Sequence, residues 1–144
     1  MDKKAIKIVY NGYSIDIVLN TRITYLCSDS ATGKTMLFSL LKDYALIEEL
    51  PGLILFSCHS GTSYKELADV LKEAEDKIIF IDNADHALMK SEVYDAIDSD
   101  LCDGDSNNYY VLIGRDTRLA NLVTSLAKPV ISGDNVSIRY LFGG

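Results

Sequence analysis

Five short segments of this chain are almost continuously apolar, and helical or polar segments separate them. A strand that is apolar along its whole length buries both faces, which is typical of parallel strands joined by crossover helices. The pattern predicts an α/β fold, a three-layer sandwich with helices on both faces of a mostly parallel five-stranded sheet. The predicted strands cover residues 23–27, 53–56, 78–81, 109–113 and 129–131, and the predicted helices cover 34–48, 63–75, 87–99 and 117–127.

Both ends of the chain alternate between apolar and polar residues, as strands with one buried face do. Residues 4–10 and 13–19 flank Asn11-Gly12, a pair that tolerates the positive φ angles of a tight hairpin turn. We therefore expect an N-terminal β-hairpin, and a last strand over 135–142. A length of 144 residues suits one hydrophobic core, and no linker or repeat divides the chain. Residues 1–144 are expected to form a single domain.

The acidic balance of the chain restricts its expected partners. The net charge is −7, whereas neutralising the phosphates of nucleic acids needs clustered Lys and Arg. We therefore expect no broad nucleic-acid surface and no membrane binding. No apolar run is long enough to span a bilayer, and Cys27, Cys58 and Cys102 show no pairing pattern. Together with the absence of a recognisable export signal, this favours a cytoplasmic protein with reduced thiols.

The segment between the first apolar strand and the helix after it has the pattern of a phosphate-binding loop. Gly33 allows a tight turn that points backbone N–H groups at phosphate oxygens, and Lys34 reaches the β- and γ-phosphates. The Thr35 hydroxyl is a ligand for Mg²⁺, and the start of the helix adds its positive dipole end. Ser28 stands where the general pattern G-x-x-x-x-G-K-[ST] has its first glycine. The predicted nucleotide-binding residues are Ser28, Asp29, Ser30, Ala31, Thr32, Gly33, Lys34, Thr35 and Met36.

A second motif ends the third apolar strand. Asp82 follows four apolar residues, 78–81, which is the Walker B pattern. A carboxylate at the end of a buried strand beside the phosphate-binding loop can hold Mg²⁺ through water. The pattern is common by itself, but here one strand and one helix separate it from the loop. We therefore predict Thr35 and Asp82 as the metal-binding pair.

With these two motifs, residues 23–131 resemble the P-loop NTPases, and within them the group with an additional strand, which includes the AAA+ and ABC-type ATPases. The resemblance implies a P-loop NTPase sheet and ATP with Mg²⁺ as the ligand. It also implies that strand 109–113 lies between the two motif strands and carries a polar sensor for the γ-phosphate at its end. Arg115 and Asp116 stand there. Arg115 is a candidate charge stabiliser, with a solvated loop arginine as the alternative.

Hydrolysis has less support than binding. Many members of this group have Glu directly after the Walker B Asp, where it polarises the attacking water. This chain has Asn83 at that position, and an amide cannot act as a base. Asp85 is the candidate substitute base, and the N-cap of the next helix is its competing role. The candidate catalytic residues are therefore Lys34, Asp85 and Arg115.

Four functions stay open from the sequence. The first is an ATP-binding protein with slow or absent Mg²⁺-dependent hydrolysis. The second is a non-hydrolysing, nucleotide-dependent module that signals to a protein partner or by self-association. The third is a small-molecule kinase, although the sequence shows neither an Arg-rich lid nor an acceptor-site signature. The fourth is a structural relative that binds nothing, against which the intact Gly33-Lys34-Thr35 argues. Without an N-K-x-D motif, selectivity for GTP has no support.

Two placements remain to be decided by the structure. The N-terminal hairpin is expected either to extend the sheet at an edge or to pack near the adenine. His59 comes just after the second apolar strand, at the edge where open α/β sheets bind ligands. It is an isolated histidine without a metal-ligand pattern around it.

Overall fold

The computed structural model describes residues 4–27, 31–48, 52–59, 61, 63–115 and 125–143. Within these ranges lie eight strands and four helices, and none of these helices is long and apolar enough to cross a membrane. The strands are β1 (Lys4–Tyr10), β2 (Tyr13–Leu19), β3 (Ile23–Cys27), β4 (Leu53–Ser57), β5 (Ile78–Asp82), β6 (Tyr109–Gly114), β7 (Leu126–Ser132) and β8 (Asn135–Phe142). The helices are α1 (Ala31–Ile47), α2 (Tyr64–Glu73), α3 (Ala84–Leu88) and α4 (Ser91–Cys102).

The predicted N-terminal hairpin is confirmed. β1 and β2 pair antiparallel, and Tyr10 stands opposite Tyr13 at the closed end. Asn11 and Gly12 form the turn with φ angles of 51° and 79°. These are the left-handed conformations that a two-residue hairpin turn requires, which explains the Asn-Gly pair.

All eight strands belong to one sheet, in the order β1-β2-β8-β7-β3-β6-β5-β4. Neighbours from β7 to β4 are parallel. β8 runs antiparallel to β7 and parallel to β2, which is antiparallel to β1. β6 therefore lies between β3 and β5, as predicted for strand 109–113.

The predicted fold class, a three-layer sandwich on a mostly parallel five-stranded P-loop NTPase sheet, is wrong. The sheet has eight strands, mixes parallel with antiparallel pairs and curls into a half-barrel. The hairpin and the C-terminal strand are integral to it, because β8 pairs with β7 along its length and connects the hairpin to the rest. The expectation that the hairpin extends the sheet at an edge is confirmed, since β1 is an edge strand.

Burial of the hairpin against α1 explains the curl. Ile15, Ile17 and Leu19 of β2 are at most 1% exposed, and they share a core with Leu37 and Leu41 of α1. Side chains of β4 and β5, from the other end of the sheet, join the same core. The two ends of the sheet can pack on one helix only if the sheet bends around it. The edge strands β1 and β4 consequently line one groove of about 270 Å³.

The opposite face of the central strands is covered by α2, α3 and α4. Along β5 and β6 the side chains alternate between the two sides. Phe80 and Val111 join the core around α1, whereas Ile79 and Leu112 join the core with the other three helices. Both faces are buried, which is why these strands are continuously apolar in sequence.

Helix boundaries differ from the predictions by more than two residues in three places. α1 begins at Ala31 rather than at residue 34. The predicted helix 87–99 is two helices, α3 and α4, and α4 continues to Cys102, three residues beyond the predicted end. Most of the predicted helix 117–127 lies outside the described residues, and its last two residues, Leu126 and Ala127, belong to β7.

Candidate functional site

Four residues predicted for the same site, Lys34, Thr35, Asp82 and Arg115, meet in one cavity. The carboxyl ends of β5 and β6 and the first turns of α1 enclose about 150 Å³, and Lys34, Thr35 and Asp82 line the space. Parallel pairing places Asp82 opposite Ile113 and so brings the strand ends to one edge. The volume corresponds to about five water molecules. It has room for a phosphoryl group with a cation, and a nucleoside would extend beyond it.

Lys34 is buried at this edge, with only 4% of its surface exposed. Its Nζ donates a hydrogen bond to the backbone oxygen of Gly114 at 2.9 Å. Lys34 is also the fourth residue of α1. The N–H groups of the first four residues of a helix have no acceptor within the helix, so backbone donors and the ammonium group lie at the same end of α1.

Gly33 has a different role from the predicted one. It lies inside α1, and its φ angle is not left-handed. The tight loop turn predicted at Gly33 is therefore wrong. A Cβ at this position would lie 3.3 Å from Cβ of Pro129 in β7. The missing side chain instead allows the start of α1 to approach β7 closely.

The rest of the predicted phosphate-binding segment is placed as follows. Thr35 is exposed and lines the cavity, whereas Met36 packs against the core around α1. Ala31 and Thr32 belong to the first turn of α1. Ser28, Asp29 and Ser30 lie outside the described residues.

Asp82 provides the negative charge of the cavity. Burial raises the pKa of its carboxyl group, while the N–H of Asn83 and the ammonium group of Lys34 act in the opposite direction. A carboxylate that has lost part of its hydration gains from a cation, and an oxygen ligand suits Mg²⁺.

The protein itself offers few ligands for a metal. In the described part of the chain, no group of three or more His, Cys, Asp or Glu could hold a metal ion. Thr35 and Asp82 therefore fit Mg²⁺ only when phosphate oxygens and water complete the coordination. Mg²⁺ is commonly bound in this way, through one or two protein oxygens and a substrate phosphate.

Asn83 ties together the ends of two strands. Its backbone is left-handed, with φ 54°, and its Nδ2 donates to the backbone oxygen of Cys58 at 3.1 Å. Cys58 directly follows β4, and Asn83 directly follows β5. The side chain at the position of the expected Glu is thus engaged in joining the two strand ends.

Asp85 connects α3 to β3 and β6. Its Oδ1 accepts a hydrogen bond from the Tyr25 hydroxyl at 2.5 Å, and its Oδ2 accepts one from the backbone N–H of Arg115 at 2.9 Å. The N-cap interpretation of Asp85 is wrong, because Asn83 holds the N-cap position of α3. Asp85 is not among the described residues that line the 150 Å³ cavity. The geometry makes it a positioning residue for the end of β6, and its role as a base stays a prediction.

Arg115 lines the cavity at the predicted edge and is exposed. Its backbone oxygen accepts a hydrogen bond from Cys27 Sγ at 3.8 Å. With the bond from its N–H to Asp85, both backbone groups of Arg115 are held while its side chain reaches solvent. Its function as a charge stabiliser stays a prediction, and Asp116 lies outside the described residues.

Sequence reasoning missed Gly114, which contacts three of the site's residues. Its carbonyl accepts the bond from Lys34, and its lack of a side chain makes room for Asp85 and Tyr25. A Cβ at Gly114 would lie 2.9 Å from Asp85 Cγ, and closer still to Asp85 Oδ1 and the Tyr25 hydroxyl oxygen. The available signal was a glycine as the last residue of a continuously apolar strand.

The buried thiol beside the site makes stability depend on alkaline pH. Burial, and secondarily the charge of Asp82, raise the pKa of Cys58 from 9.0 to about 11. Between pH 9 and 11 the unfolded chain releases this proton while the folded chain keeps it, so the free energy of unfolding falls as pH rises. We expect a loss of about 1.5 kcal/mol from this group between pH 9 and 10.5, measured by urea unfolding.

Two variants isolate this effect of Cys58. Cys58→Ala should reduce the dependence of the free energy of unfolding on pH in this interval, and part of the dependence should remain because burial and Asp100 raise the pKa of Tyr110 as well. Cys102→Ala, which removes an exposed thiol, should leave the dependence as it is in the original chain. Equal slopes for all three proteins would contradict the assignment to Cys58.

No protein-family model and no curated protein matches this chain. Comparison therefore supplies no family. The resemblance to P-loop NTPases stays a prediction that rests on the two sequence motifs.

Proposed function

We propose that this chain binds a nucleoside triphosphate together with Mg²⁺ at the cavity lined by Lys34, Thr35 and Asp82. One observation carries the proposal. Two motifs that are separated by a strand and a helix along the chain supply an ammonium group, a hydroxyl group and a carboxylate to a single 150 Å³ space. An ammonium group, two oxygen ligands and a helix N-terminus together suit a phosphate with its metal.

Each group has a definite task in this proposal. Lys34 exchanges its bond to the Gly114 carbonyl for one to a phosphate oxygen, and the first N–H groups of α1 donate to the same phosphate. Thr35 and Asp82 are the residues that would hold Mg²⁺. Mg²⁺ held there would supply positive charge that offsets the charge of the phosphates.

Slow hydrolysis, or none, accompanies binding in this proposal. Apart from Asp82, none of the described residues that line the cavity carries a carboxylate. The Asn83 amide donates a hydrogen bond to the backbone oxygen of Cys58, and both carboxylate oxygens of Asp85 accept hydrogen bonds. This arrangement favours the non-hydrolysing, nucleotide-dependent interaction module as the second candidate. In that role a protein partner or a second copy of the chain binds the nucleotide-bound form of this protein.

Calorimetric titration with ATP, and separately with GTP, tests the proposal in the presence and absence of Mg²⁺. We expect binding of ATP at micromolar to millimolar concentration that strengthens at least about tenfold with Mg²⁺. Asp82→Asn should remove most of this gain, because loss of a ligand or of its orienting partner typically costs about 10–100-fold in metal affinity. Asp95→Asn, which removes an exposed carboxylate on α4, is the matched control and should keep it. Absence of binding of both nucleotides at millimolar concentration would contradict the proposal.

A phosphate-release assay addresses hydrolysis separately. We expect turnover close to the background rate for the original chain. Fast turnover by the original chain would contradict this expectation, and an acidic limb of its pH–rate profile that Asp85→Asn removes would assign the base to Asp85 despite its two hydrogen bonds.

A further inference from the structure

A second cavity, of about 600 Å³, lies at the same edge of the sheet. Cys58 and His59 follow β4, Tyr64 begins α2, and Asn83 follows β5. Asn83 lines both this cavity and the smaller one, so the two share a wall. The volume falls within the range of about 300–1,000 Å³ that is usual for small-molecule sites.

The lining of this second cavity carries positive charge, whereas the net charge of the chain is negative. The chain carries 21 Asp and Glu against 14 Lys and Arg, yet none of the described residues that line the cavity has a carboxylate. Lys90 supplies an ammonium group, and His59 and His86 supply imidazoles. The N–H of Gly61 donates to His59 Nδ1 at 3.1 Å. In the neutral imidazole the proton is therefore on Nε2.

Aromatic and apolar groups complete the lining. The Lys90 Nζ lies 5.5 Å from the centroid of the Tyr64 ring, within the range of a cation–π contact. Met89, 77% exposed, adds a large apolar side chain to the same cavity. Because burial keeps Cys58 protonated at neutral pH, the thiol adds no negative charge. A flat apolar body can rest on these groups while its anionic end meets the Lys90 ammonium group and the His86 imidazole.

We propose that this second cavity binds a small organic anion, with a planar apolar body and a carboxylate or phosphate group. Lys90 and His86 receive the anionic group, and Tyr64 with Met89 contacts the body. The proposal does not require a bound nucleotide, since Lys34, Thr35 and Asp82 are not part of this lining. If a triphosphate occupies the smaller cavity, the shared Asn83 places the two ligands side by side.

The histidines provide a direct readout of this cavity. The chain has only two, His59 and His86, and both line the cavity, so imidazole NMR signals report on it alone. The probes are benzoate and phenyl phosphate, with benzamide as the neutral analogue of benzoate. We expect saturable shifts of both histidine signals by at least one of the anions in the millimolar range, as is usual for ligands of this size. Benzamide at the same concentrations should give none.

Variants separate this site from others on the chain. Lys90→Ala should weaken binding of the anion about two- to fivefold, whereas Lys72→Ala, an exposed lysine on α2, should not change it. Lys34→Ala should leave the histidine shifts intact, so failure of nucleotide binding and failure of this proposal are distinguishable. Absence of a saturable shift with both anions, equal shifts with benzamide, or unchanged affinity in Lys90→Ala would each overturn the proposal.

Discussion

Lys34→Ala is expected to weaken binding of ATP with Mg²⁺ by about 30-fold or more. The ammonium group is buried at the strand ends, where removing one partner of a hydrogen-bonded charge pair costs about 2–5 kcal/mol. The hydrogen bond to Gly114 already holds the Lys34 Nζ beside the cavity before a ligand binds. The lysine side chain therefore needs little reorganisation on binding. Isothermal calorimetry with a non-hydrolysable ATP analogue measures the change without interference from turnover.

Two further variants sharpen this result. Lys42→Ala removes an exposed lysine from the same helix, and its affinity should equal that of the original chain. Lys34→Met keeps the apolar stem in the buried position and removes only the charge. If Lys34→Met bound the nucleotide as tightly as the original chain, Lys34 would have no role in holding phosphate.

Gly114→Ala is expected to destabilise the fold strongly, although it adds a single methyl group. The added Cβ would overlap the Asp85 carboxylate and the Tyr25 hydroxyl group, so either their hydrogen bond breaks or β6 moves away from β3. Overpacking of a buried site typically costs about 1–3 kcal/mol. In a chain of this length, that corresponds to a fall in Tm of about 3–10 °C. Thermal unfolding followed by circular dichroism measures it.

Gly104→Ala is the matched control for this prediction. Gly104 is exposed, has no left-handed φ angle, and a Cβ there would meet no atom within 4 Å. Its Tm should stay within about a degree or two of the original, as for ordinary surface substitutions. Equal Tm values for Gly114→Ala and Gly104→Ala would show that the contact among Gly114, Tyr25 and Asp85 does not constrain the fold.

Local elements were predictable because their signals lie within a few residues. The Asn11-Gly12 turn, the alternation on both sides of it and the continuously apolar strands each appear in the structure with small shifts of boundary. The cavity residues Lys34, Thr35 and Asp82 were also predictable as neighbours. The parallel arrangement of β3, β6 and β5 brings their carboxyl ends together whatever the rest of the sheet does.

The curl of the sheet was not predictable from local pattern. The curl depends on which strands pack against the surface of α1. The hairpin has the same alternation of apolar and polar residues whether it lies flat or bends around a helix. Asp85 shows the same limit, since its partners Tyr25 and Arg115 come from strands remote in sequence. Arg22 similarly donates to the backbone oxygens of Asp100 and Leu101 at the end of α4. No pattern near any of these residues in the sequence indicates the distant partner.

The enclosure of α1 by both ends of the sheet links the cavity to the far side of the molecule. Its first turns carry Lys34 and Thr35, and its middle contacts the hairpin and the strands β4 and β5. A ligand that restrains the start of this helix therefore stabilises the whole core, by an amount set by its concentration relative to its Kd. Amide hydrogen exchange in β1 and β4, which touch no ligand, should slow on saturation with nucleotide. Exchange rates in the two edge strands, β1 and β4, would thus report whether nucleotide occupies the cavity at the start of α1, which neither strand lines.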